Sequence, residues 1–185
     1  MFIDPRYAIQ QGWIKGIANV EKQVQPNAVD FTLDVVKSLN GAAIISEKEK
    51  VMRELQDVPA QNSRGENVWT LDGQSVYDGT SNVYVEVPPN VAAILFTRST
   101  FARNGILIAS GLYDSGYRGQ IGFTIYTHGG PVDIEPGTRI GQVAFIHSES
   151  AGMYAGGWNH EQGSHYTDKK VGVPPPVDGT KSKFL

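Results

Sequence analysis

The chain of 185 residues contains no cysteine. This absence excludes disulfide scaffolds, cysteine-ligated zinc sites, thiol catalysis and iron–sulfur clusters. The chain also lacks any apolar run near the roughly 18 residues that a membrane-spanning helix needs. Its first residues, MFIDP, show neither the basic nor the apolar stretch of a signal peptide. We therefore expect a cytoplasmic protein without a membrane partner.

Positive charge is also scarce, because 16 Lys and Arg stand against 19 Asp and Glu for a formal net charge of −3. A nucleic-acid-binding surface usually shows a basic excess, so we expect no nucleic-acid partner. An anionic substrate must then meet local cations or a metal ion. A chain of this length buries about 70% of the surface of its extended form on folding, which supports one hydrophobic core without disulfides or structural metals.

Glycine (21 residues) and proline (10 residues) are abundant, and turns are correspondingly frequent. Between the turns lie six short runs that are rich in β-branched and aromatic residues and have the length of strands. These runs are 29–36, 83–87, 91–97, 106–109, 120–126 and 139–147. Because no crossover helices separate them, the pattern predicts an all-β sandwich, jelly roll or barrel rather than a parallel sheet.

Two short helices are predicted near the N-terminus. The first covers residues 5–11, with Asp4 as its N-cap, a proline at its first position and Gly12 as its stop. The second rests on Ser46 and Glu49, which have the spacing of a capping box.

The remaining segments carry weaker patterns. The polar residues 60–66 are predicted to form a loop. Residues 1–166 are expected to form a single domain. Residues 167–185 contain three successive prolines and four lysines, which predicts an extended arm or a mobile tail.

A polar group follows the apolar run 91–97. It consists of Arg98, Ser99, Thr100 and Arg103. Guanidinium groups, hydroxyls and backbone amides at a strand end can bind a polyanion. Taken alone, the same residues also fit an ordinary strand end whose charges are solvated.

Two further polar residues interrupt the strand pattern. Asp114 stands between an apolar pair and a Gly-containing turn, where a carboxylate can bind and aim a water as a general base. An Asp before Ser-Gly is also a common turn former. Gln142 lies in the apolar run 139–147, so its amide needs a partner in the core or a ligand.

Taken together and in order, these segments resemble the trimeric dUTPase and dCTP deaminase superfamily. The segments FTRST, GLYDSGYRGQI and PGTRIGQVAF are similar to three ordered motifs of that family. VQPNAVDFTLD (24–34) is similar to its first motif, and the predicted N-terminal helix with Gly12-Trp13-Ile14 resembles the deaminase branch. WNHEQGS (158–164) is a degraded match to the C-terminal segment that closes over the nucleotide.

The resemblance implies a distorted β-barrel or jelly-roll subunit that assembles as a homotrimer with three shared active sites. Asp114 would hold the attacking water near the α-phosphorus, and Asp30 would steady the site through metal-bound waters. The base would lie on the hairpin between Gly105 and Leu112, read mainly by its backbone. The residues implied to contact the nucleotide are Arg98, Ser99, Thr100, Arg103, Tyr117, Arg118, Gln142, Trp158 and Gln162.

The chemistry within the family is indicated by position 124. Deaminases of this type resemble one another in carrying a Glu ten residues after the motif Asp, whereas this chain has Thr124 there. A threonine hydroxyl cannot take up a proton near neutral pH as a partly desolvated Glu can. Tyr117, three residues after Asp114, matches the pyrophosphatase form. The sequence therefore predicts hydrolysis of dUTP to dUMP and pyrophosphate, with Mg²⁺ carried by the substrate phosphates and water.

Two alternatives stay open at this stage. One is deamination of dCTP, alone or combined with phosphohydrolysis, and the other is a catalytically weak trimer that binds nucleotide. Trp158 fits a stacking lid over the base or an anchor of the C-terminal arm on a neighbouring subunit. His160 and His165 fit phosphate contacts or a simple surface position.

Overall fold

A computed structural model of the chain describes residues 1–63, 65–109, 111–156 and 159. In these residues the chain forms three short helices and fourteen strands. The helices are α1 (Pro5–Gln10), α2 (Val20–Gln23) and α3 (Ser99–Arg103). The strands are β1 (Ile14–Lys15), β2 (Val29–Asn40), β3 (Ile44–Ile45), β4 (Lys50–Val51), β5 (Glu54–Asp57), β6 (Gln61–Ser63), β7 (Glu66–Leu71), β8 (Ser75–Glu86), β9 (Val91–Thr97), β10 (Ile106–Ala109), β11 (Leu112–Tyr113), β12 (Arg118–Thr127), β13 (Val132–Ile134) and β14 (Arg139–His147).

Nine of the strands form one curled sheet in which every neighbouring pair is antiparallel. Its main path runs β10-β12-β8-β2-β14-β9-β11, with β1 added to β8 and β5 added to β2. A three-stranded sheet, β13-β7-β6, and the pair β3-β4 complete the fold. The all-β prediction is confirmed. None of the helices in the described part of the chain has the length and apolarity to cross a membrane.

The strongest strand patterns give the observed bounds. The predicted runs 91–97, 106–109 and 139–147 coincide with β9, β10 and β14. Strand β8 begins at Ser75, well before the predicted run 83–87. Its first half contains Asp78 and Gly79, two residue types that are depleted in strands, and these interrupt the strand pattern after Val76 and Tyr77. Pairing with both β2 and β12 holds this half in the sheet.

The first predicted helix is confirmed. The Asp4 Oδ1 atom accepts a hydrogen bond from the Arg6 N–H at 2.8 Å and caps α1. Gly12 ends the turn with a φ of 72°, a conformation that favours glycine.

The second predicted helix is wrong. The Ser46 hydroxyl accepts hydrogen bonds from the backbone of Lys48 and Glu49, as in a capping box, but the residues form the turn between β3 and β4. A serine that bonds its own following backbone stabilises a turn as readily as a helix start. The predicted loop at 60–66 is also wrong, because residues 61–63 form β6 and pair with β7.

The core lies against the concave face of the large sheet. Strands β2, β12 and β14 contribute large side chains that are fully or almost fully buried, namely Phe31, Leu33, Ile121, Ile125, Ile140 and Phe145. Gly141 lies directly over the Phe31 ring, and a Cβ added there would come within 2.3 Å of it. The missing side chain lets β14 approach β2 closely, at the residues that carry the first polar cluster described below.

An irregular register in β14 turns two polar residues toward the same neighbour. Arg139 pairs with Thr32, whereas Gly141 pairs with Phe31, so the register shifts between them. Residues three apart on a regular strand point to opposite faces. The irregularity changes that alternation, and Arg139 and Gln142 both reach a single carboxylate on β2.

Candidate functional site

A buried carboxylate at the start of β2 organises the first polar cluster. Asp30 has no exposed surface. Its Oδ2 atom lies 3.2 Å from Arg98 Nε and 3.0 Å from Arg139 Nη1, and its Oδ1 atom accepts a hydrogen bond from Gln142 Nε2 at 2.8 Å. We call these four residues the Asp30 cluster.

The Asp30 cluster has one negative and two positive side chains. The two guanidinium groups balance the buried carboxylate and leave one unit of positive charge. Arg98 and Arg139 keep 26% and 34% of their side-chain surface exposed, so this charge reaches solvent. In a protein with a net charge of −3, the cluster provides the local cation that an anionic ligand needs.

The predicted anion-binding group lies beside this cluster. Arg98 follows the last residue of β9 and caps α3 without a side-chain hydrogen bond. Its Nη1 atom donates to the Arg139 carbonyl at 3.1 Å. Ser99, Thr100 and Arg103 belong to α3 and are exposed. The structure therefore places the four residues together at one strand end, as predicted.

A tight turn carries Asp114. The Tyr117 N–H donates to the Asp114 carbonyl at 3.0 Å, and Gly116 between them has a φ of 85°. A positive φ at the third position is typical of a type II turn and favours glycine. The Ser115 hydroxyl is buried and donates to the Val91 carbonyl at 2.7 Å, which fixes the turn on β9. The Asp114 side chain is exposed.

A cavity of about 460 Å³ opens next to this turn. That volume lies within the usual range for small-molecule sites. The lining residues are Asp78, Ala109, Gly111, Leu112, Tyr113, Asp114, Tyr117, Gly122, Phe123, Thr124 and Tyr154. The cavity therefore combines the predicted base-binding hairpin with the predicted general base and with position 124.

Three aromatic rings form one wall of the cavity. Tyr117 packs edge-on against Tyr113, with ring centroids 4.7 Å apart, and against Tyr154 at 5.6 Å. The Tyr117 hydroxyl donates to the Gln120 carbonyl at 3.0 Å, and the Tyr113 hydroxyl donates to the Gly122 carbonyl at 2.8 Å. Because both hydroxyls are held by backbone, the rings present apolar surface to the cavity.

The pKa values of these two tyrosines are raised. Burial raises the pKa of Tyr113 far above its usual value, and the neighbouring Tyr117 adds to the effect. Burial likewise raises the pKa of Tyr117, with contributions from Tyr154 and Tyr84. Both groups stay protonated in the folded protein at a pH at which they ionise in the unfolded chain.

We expect this difference to make folding stability fall at alkaline pH. The stabilisation is fully present below the unfolded pKa of about 10. Above that pH, each tyrosine lowers the free energy of unfolding by about 1.4 kcal/mol per pH unit, because only the unfolded chain releases the tyrosine proton. Denaturant unfolding of the wild type and of Tyr117→Phe at a series of alkaline pH values measures this effect. Above pH 10, the free energy of unfolding should fall less steeply with pH in Tyr117→Phe than in the wild type, by about 1.4 kcal/mol per pH unit. Identical slopes would contradict the raised pKa of Tyr117.

The segment after β14 folds back on the turn of Asp114. The Tyr154 N–H donates to the Ser115 carbonyl at 2.6 Å, and the Ser115 and Ser150 hydroxyls are hydrogen-bonded. The Asn159 Oδ1 atom accepts from the Arg118 N–H at 2.7 Å. Arg118 itself is exposed at the start of β12. The segment therefore adds hydrogen bonds to the turn of Asp114 beyond the one that Ser115 makes to β9.

Part of the predicted closing segment cannot be placed. Trp158, Gln162, His160 and His165 lie outside the described residues. The predicted C-terminal arm, 167–185, lies outside them as well.

The predicted site residues therefore fall into two groups within one chain. The first comprises the Asp30 cluster with the exposed residues of α3. The second comprises Asp114, Tyr117 and the hairpin residues around the cavity. No member of the Asp30 cluster lines the cavity of its own chain.

Sequence reasoning missed three residues of these groups. Arg139 stands in the segment PGTRIGQVAF, but an arginine at a strand start gave no sign that it would reach Asp30. Tyr154 follows the last strand in a segment without a recognisable pattern. Asp78 lies in the half of β8 that had no strand signal, so nothing in the sequence could bring it to the cavity.

The residues present do not fit a magnesium ion held by protein ligands. Within the described ranges, no three His, Asp or Glu side chains are grouped closely enough to hold a metal. Both Asp30 carboxylate oxygens are engaged by Arg98, Arg139 and Gln142, and the group is fully buried. Support of metal-bound waters by Asp30, which the resemblance implies, stays a prediction.

Comparisons with known proteins agree on one family. A family model described as dCTP deaminase-like matches residues 5–148. A protein of Methanopyrus kandleri named probable deoxyuridine 5′-triphosphate nucleotidohydrolase is 31% identical over 138 residues, which cover 74% of this chain and 87% of the relative. A protein of Aeropyrum pernix with the same name is 28% identical over 87% of this chain and 99% of the relative.

A solved structure supports the fold. The 2′-deoxycytidine 5′-triphosphate deaminase of Agrobacterium tumefaciens superposes with a TM-score of 0.59 at 18% sequence identity. The match covers 76% of this chain and 44% of that chain. This similarity concerns the fold alone.

Proposed function

Because the chain belongs to the dCTP deaminase-like family, we propose that it is a dUTP nucleotidohydrolase that converts dUTP and water to dUMP and pyrophosphate. The observation that carries the proposal is the cavity that holds Asp114 together with Tyr117 and Thr124. The archaeal relatives named as probable dUTP nucleotidohydrolases support the same activity. Relatives and fold are consistent with a soluble enzyme acting in the cytoplasm.

Asp114 acts as the general base in this proposal. Its exposed carboxylate, at the edge of the cavity, binds a water molecule and takes one of its protons. The water oxygen forms a bond to the α-phosphorus, the bond from that phosphorus to the bridging oxygen breaks, and pyrophosphate leaves. The turn 114–117 keeps the carboxylate in place, because both Ser115 and Gly116 are hydrogen-bonded to neighbouring backbone.

The remaining contacts divide between the sugar, the base and the phosphates. The Tyr117 ring packs under the deoxyribose and leaves no room for a 2′-hydroxyl. The base lies on β10 and the residues up to Leu112, which line the cavity. Arg98, Ser99, Thr100, Arg103, Arg118 and Gln142 contact the phosphate chain.

We further propose that three copies of the chain assemble and share their sites. The Asp30 cluster and the cavity are separate within one chain, so the positive charge for the phosphates comes from a neighbouring subunit. Four large apolar side chains support an interface near these groups, because Phe96, Leu107, Leu112 and Met153 are 43–59% exposed.

Magnesium belongs to the proposal as an ion that the triphosphate brings with it. Bound to the phosphate oxygens, it would neutralise charge that accumulates on the leaving pyrophosphate. The arginines of the Asp30 cluster and the hydroxyls of α3 act on the same charge from the protein side.

Deamination of dCTP is the second candidate. Thr124 lines the cavity at the position where the deaminase pattern has an acid, and its hydroxyl does not take up a proton near neutral pH. The described cavity nevertheless contains a second carboxylate, Asp78. The family description also includes deaminases, so the two activities have to be separated by experiment.

The deciding experiment is a substrate panel. The protein is incubated with dUTP, dCTP, dTTP, dATP and dGTP in the presence of Mg²⁺, and nucleotide products, pyrophosphate and ammonia are measured. We expect dUMP and pyrophosphate in equal amounts from dUTP, without ammonia from dCTP. Ammonia release from dCTP would favour the second candidate, and the absence of any product would leave a nucleotide-binding protein without turnover.

A further inference from the structure

Tyr154 lines the cavity from outside the segments that define the family. It lies beyond residues 5–148, which match the family model, and before the degraded closing segment 158–164. Its ring is half-buried and packs against the hydrophobic core. The family resemblance gives this residue no task, although it forms part of the cavity wall.

The ring of Tyr154 is one of two that contact the ring of Tyr117. The centroids of Tyr113 and Tyr117 lie 4.7 Å apart, those of Tyr117 and Tyr154 lie 5.6 Å apart, and both contacts are edge-on. Tyr113 is fixed in the sheet, because it belongs to β11 and its hydroxyl donates to the Gly122 carbonyl. Tyr154 comes from the segment after β14, so it is a separate support for the Tyr117 ring.

The backbone around Tyr154 is arranged to hold this ring in place. The Tyr154 N–H donates to the Ser115 carbonyl at 2.6 Å, which anchors the residue beside the turn of Asp114. A Cβ added at Gly156 would overlap the hydroxyl end of the Tyr154 ring. Gly156 does not have a positive φ, so the ring is the feature that requires a glycine there. The chain thus passes close over the ring and confines it.

This support matters for the task that the proposed function gives to Tyr117. A 2′-hydroxyl adds little volume to a sugar, and an apolar pocket rejects an added hydroxyl by only about 100-fold. Steric exclusion of so small a group works only if the excluding ring cannot move aside. Without Tyr154, the Tyr117 ring has an unsupported edge and room to tilt away from the sugar.

We propose that Tyr154 is a positioning residue that holds the Tyr117 ring in place and thereby sets the preference for deoxyribose over ribose. The proposal rests on the role of Tyr117 given under the proposed function. Tyr154 acts through Tyr117 and takes no part in the transfer of the phosphoryl group.

Sugar preference in binding tests this directly. Dissociation constants for the α,β-imido analogues of dUTP and UTP are measured by calorimetry with Mg²⁺, for the wild type, Tyr154→Ala and Tyr154→Phe. Tyr154→Ala should lower the preference for the deoxy analogue about 3- to 10-fold, the range that one edge-on aromatic pair supplies. Tyr154→Phe keeps the ring and should keep the wild-type preference.

The kinetic readout separates this role from catalysis. The hydrogen bond to Ser115 comes from the backbone of Tyr154, so Tyr154→Ala keeps it. We therefore expect kcat for dUTP to change less than about threefold in Tyr154→Ala. The ratio of kcat/KM for dUTP to that for UTP should fall by the same factor as the preference in binding.

A second variant displaces the ring without removing it. Gly156→Ala places a Cβ against the hydroxyl end of the Tyr154 ring and should lower the sugar preference as well. Its matched control is Gly152→Ala in the same segment, because nothing lies within 4 Å of a Cβ added at Gly152. Gly152→Ala should keep the wild-type preference.

The control for Tyr154→Ala removes a similar aromatic contact elsewhere. Tyr7 packs edge-on against Trp13 with centroids 5.5 Å apart, and neither residue lines the cavity. Tyr7→Ala should therefore leave the sugar preference unchanged. Circular dichroism and thermal melting of each variant establish that it is folded.

The outcomes differ for the two proposals. Wild-type protein that prefers the deoxy analogue but does not hydrolyse dUTP overturns the proposed function, whereas the binding comparison still reads out Tyr154. An unchanged preference in folded Tyr154→Ala overturns the inference, as does an equal loss of affinity for both analogues, which indicates a merely structural role or a direct contact. Equal binding of the two analogues by the wild type overturns it too, and absence of binding overturns both proposals.

Discussion

Replacing Asp114 with asparagine is expected to lower kcat for dUTP about 100- to 10,000-fold while nucleotide binding stays close to that of the wild type. The amide has nearly the same shape as the carboxylate and fits the same turn, but it cannot accept a proton from water. The turn itself depends on backbone and on Ser115, so the substitution should not disturb it. Steady-state hydrolysis of dUTP and calorimetric binding of dUMP measure the two quantities separately. Full activity of Asp114→Asn would remove this residue from the mechanism.

The same variant tests whether the site is shared between subunits. Asp114→Asn and Arg98→Gln are each expected to be nearly inactive, because one lacks the base and the other lacks a phosphate contact. When the two are unfolded, mixed in equal amounts and refolded, random trimers should recover about a quarter of the wild-type activity if each site combines two chains. A site built from one chain predicts no recovery.

Replacing Asp30 with alanine is expected to lower the free energy of unfolding by about 3 kcal/mol and to weaken binding of the triphosphate. Asp30 is fully buried between Arg98, Arg139 and Gln142. Its removal leaves two partly exposed guanidinium groups without their shared counterion, and they repel each other. Denaturant unfolding measures the stability, and calorimetry with a non-hydrolysable dUTP analogue measures the binding.

Asp34→Asn is the matched control for this prediction. Asp34 lies on the same strand, but its side chain is exposed. We expect its replacement to change the free energy of unfolding by less than about 0.5 kcal/mol. Equal stability of Asp30→Ala and Asp34→Asn would show that the Asp30 cluster does not hold β2, β9 and β14 together.

The local pattern was sufficient wherever a single segment defines its own structure. Residues 91–97 form β9 with the predicted bounds, because a run of β-branched and apolar residues between two turns has few other options. The N-cap Asp4 and the stop at Gly12 likewise fixed α1. The serine at position 46 misled, because its hydrogen bonds are the same in a helix start and in the observed turn.

The sequence indicated only some of the residues of the candidate site. Asp114, Tyr117 and Arg98 stand in ordered motifs, so their types and spacing pointed to nucleotide chemistry. Arg139 and Asp78 did not, since each meets its neighbours through strands that are distant along the chain.

The sequence alone determined that this is a β-rich chain without cysteine chemistry, with a carboxylate on a glycine turn and arginines at a strand end. Those features depend on residue type and short-range spacing, which the chain itself carries. Only the tertiary structure decided that Arg139 and Gln142 both contact Asp30. An irregular register between β14 and β2 brings them together, and such a register leaves no signal in the local sequence. The tertiary structure alone also separated the Asp30 cluster from the cavity and brought Asp78 opposite Thr124, since both results come from pairing between strands remote in sequence.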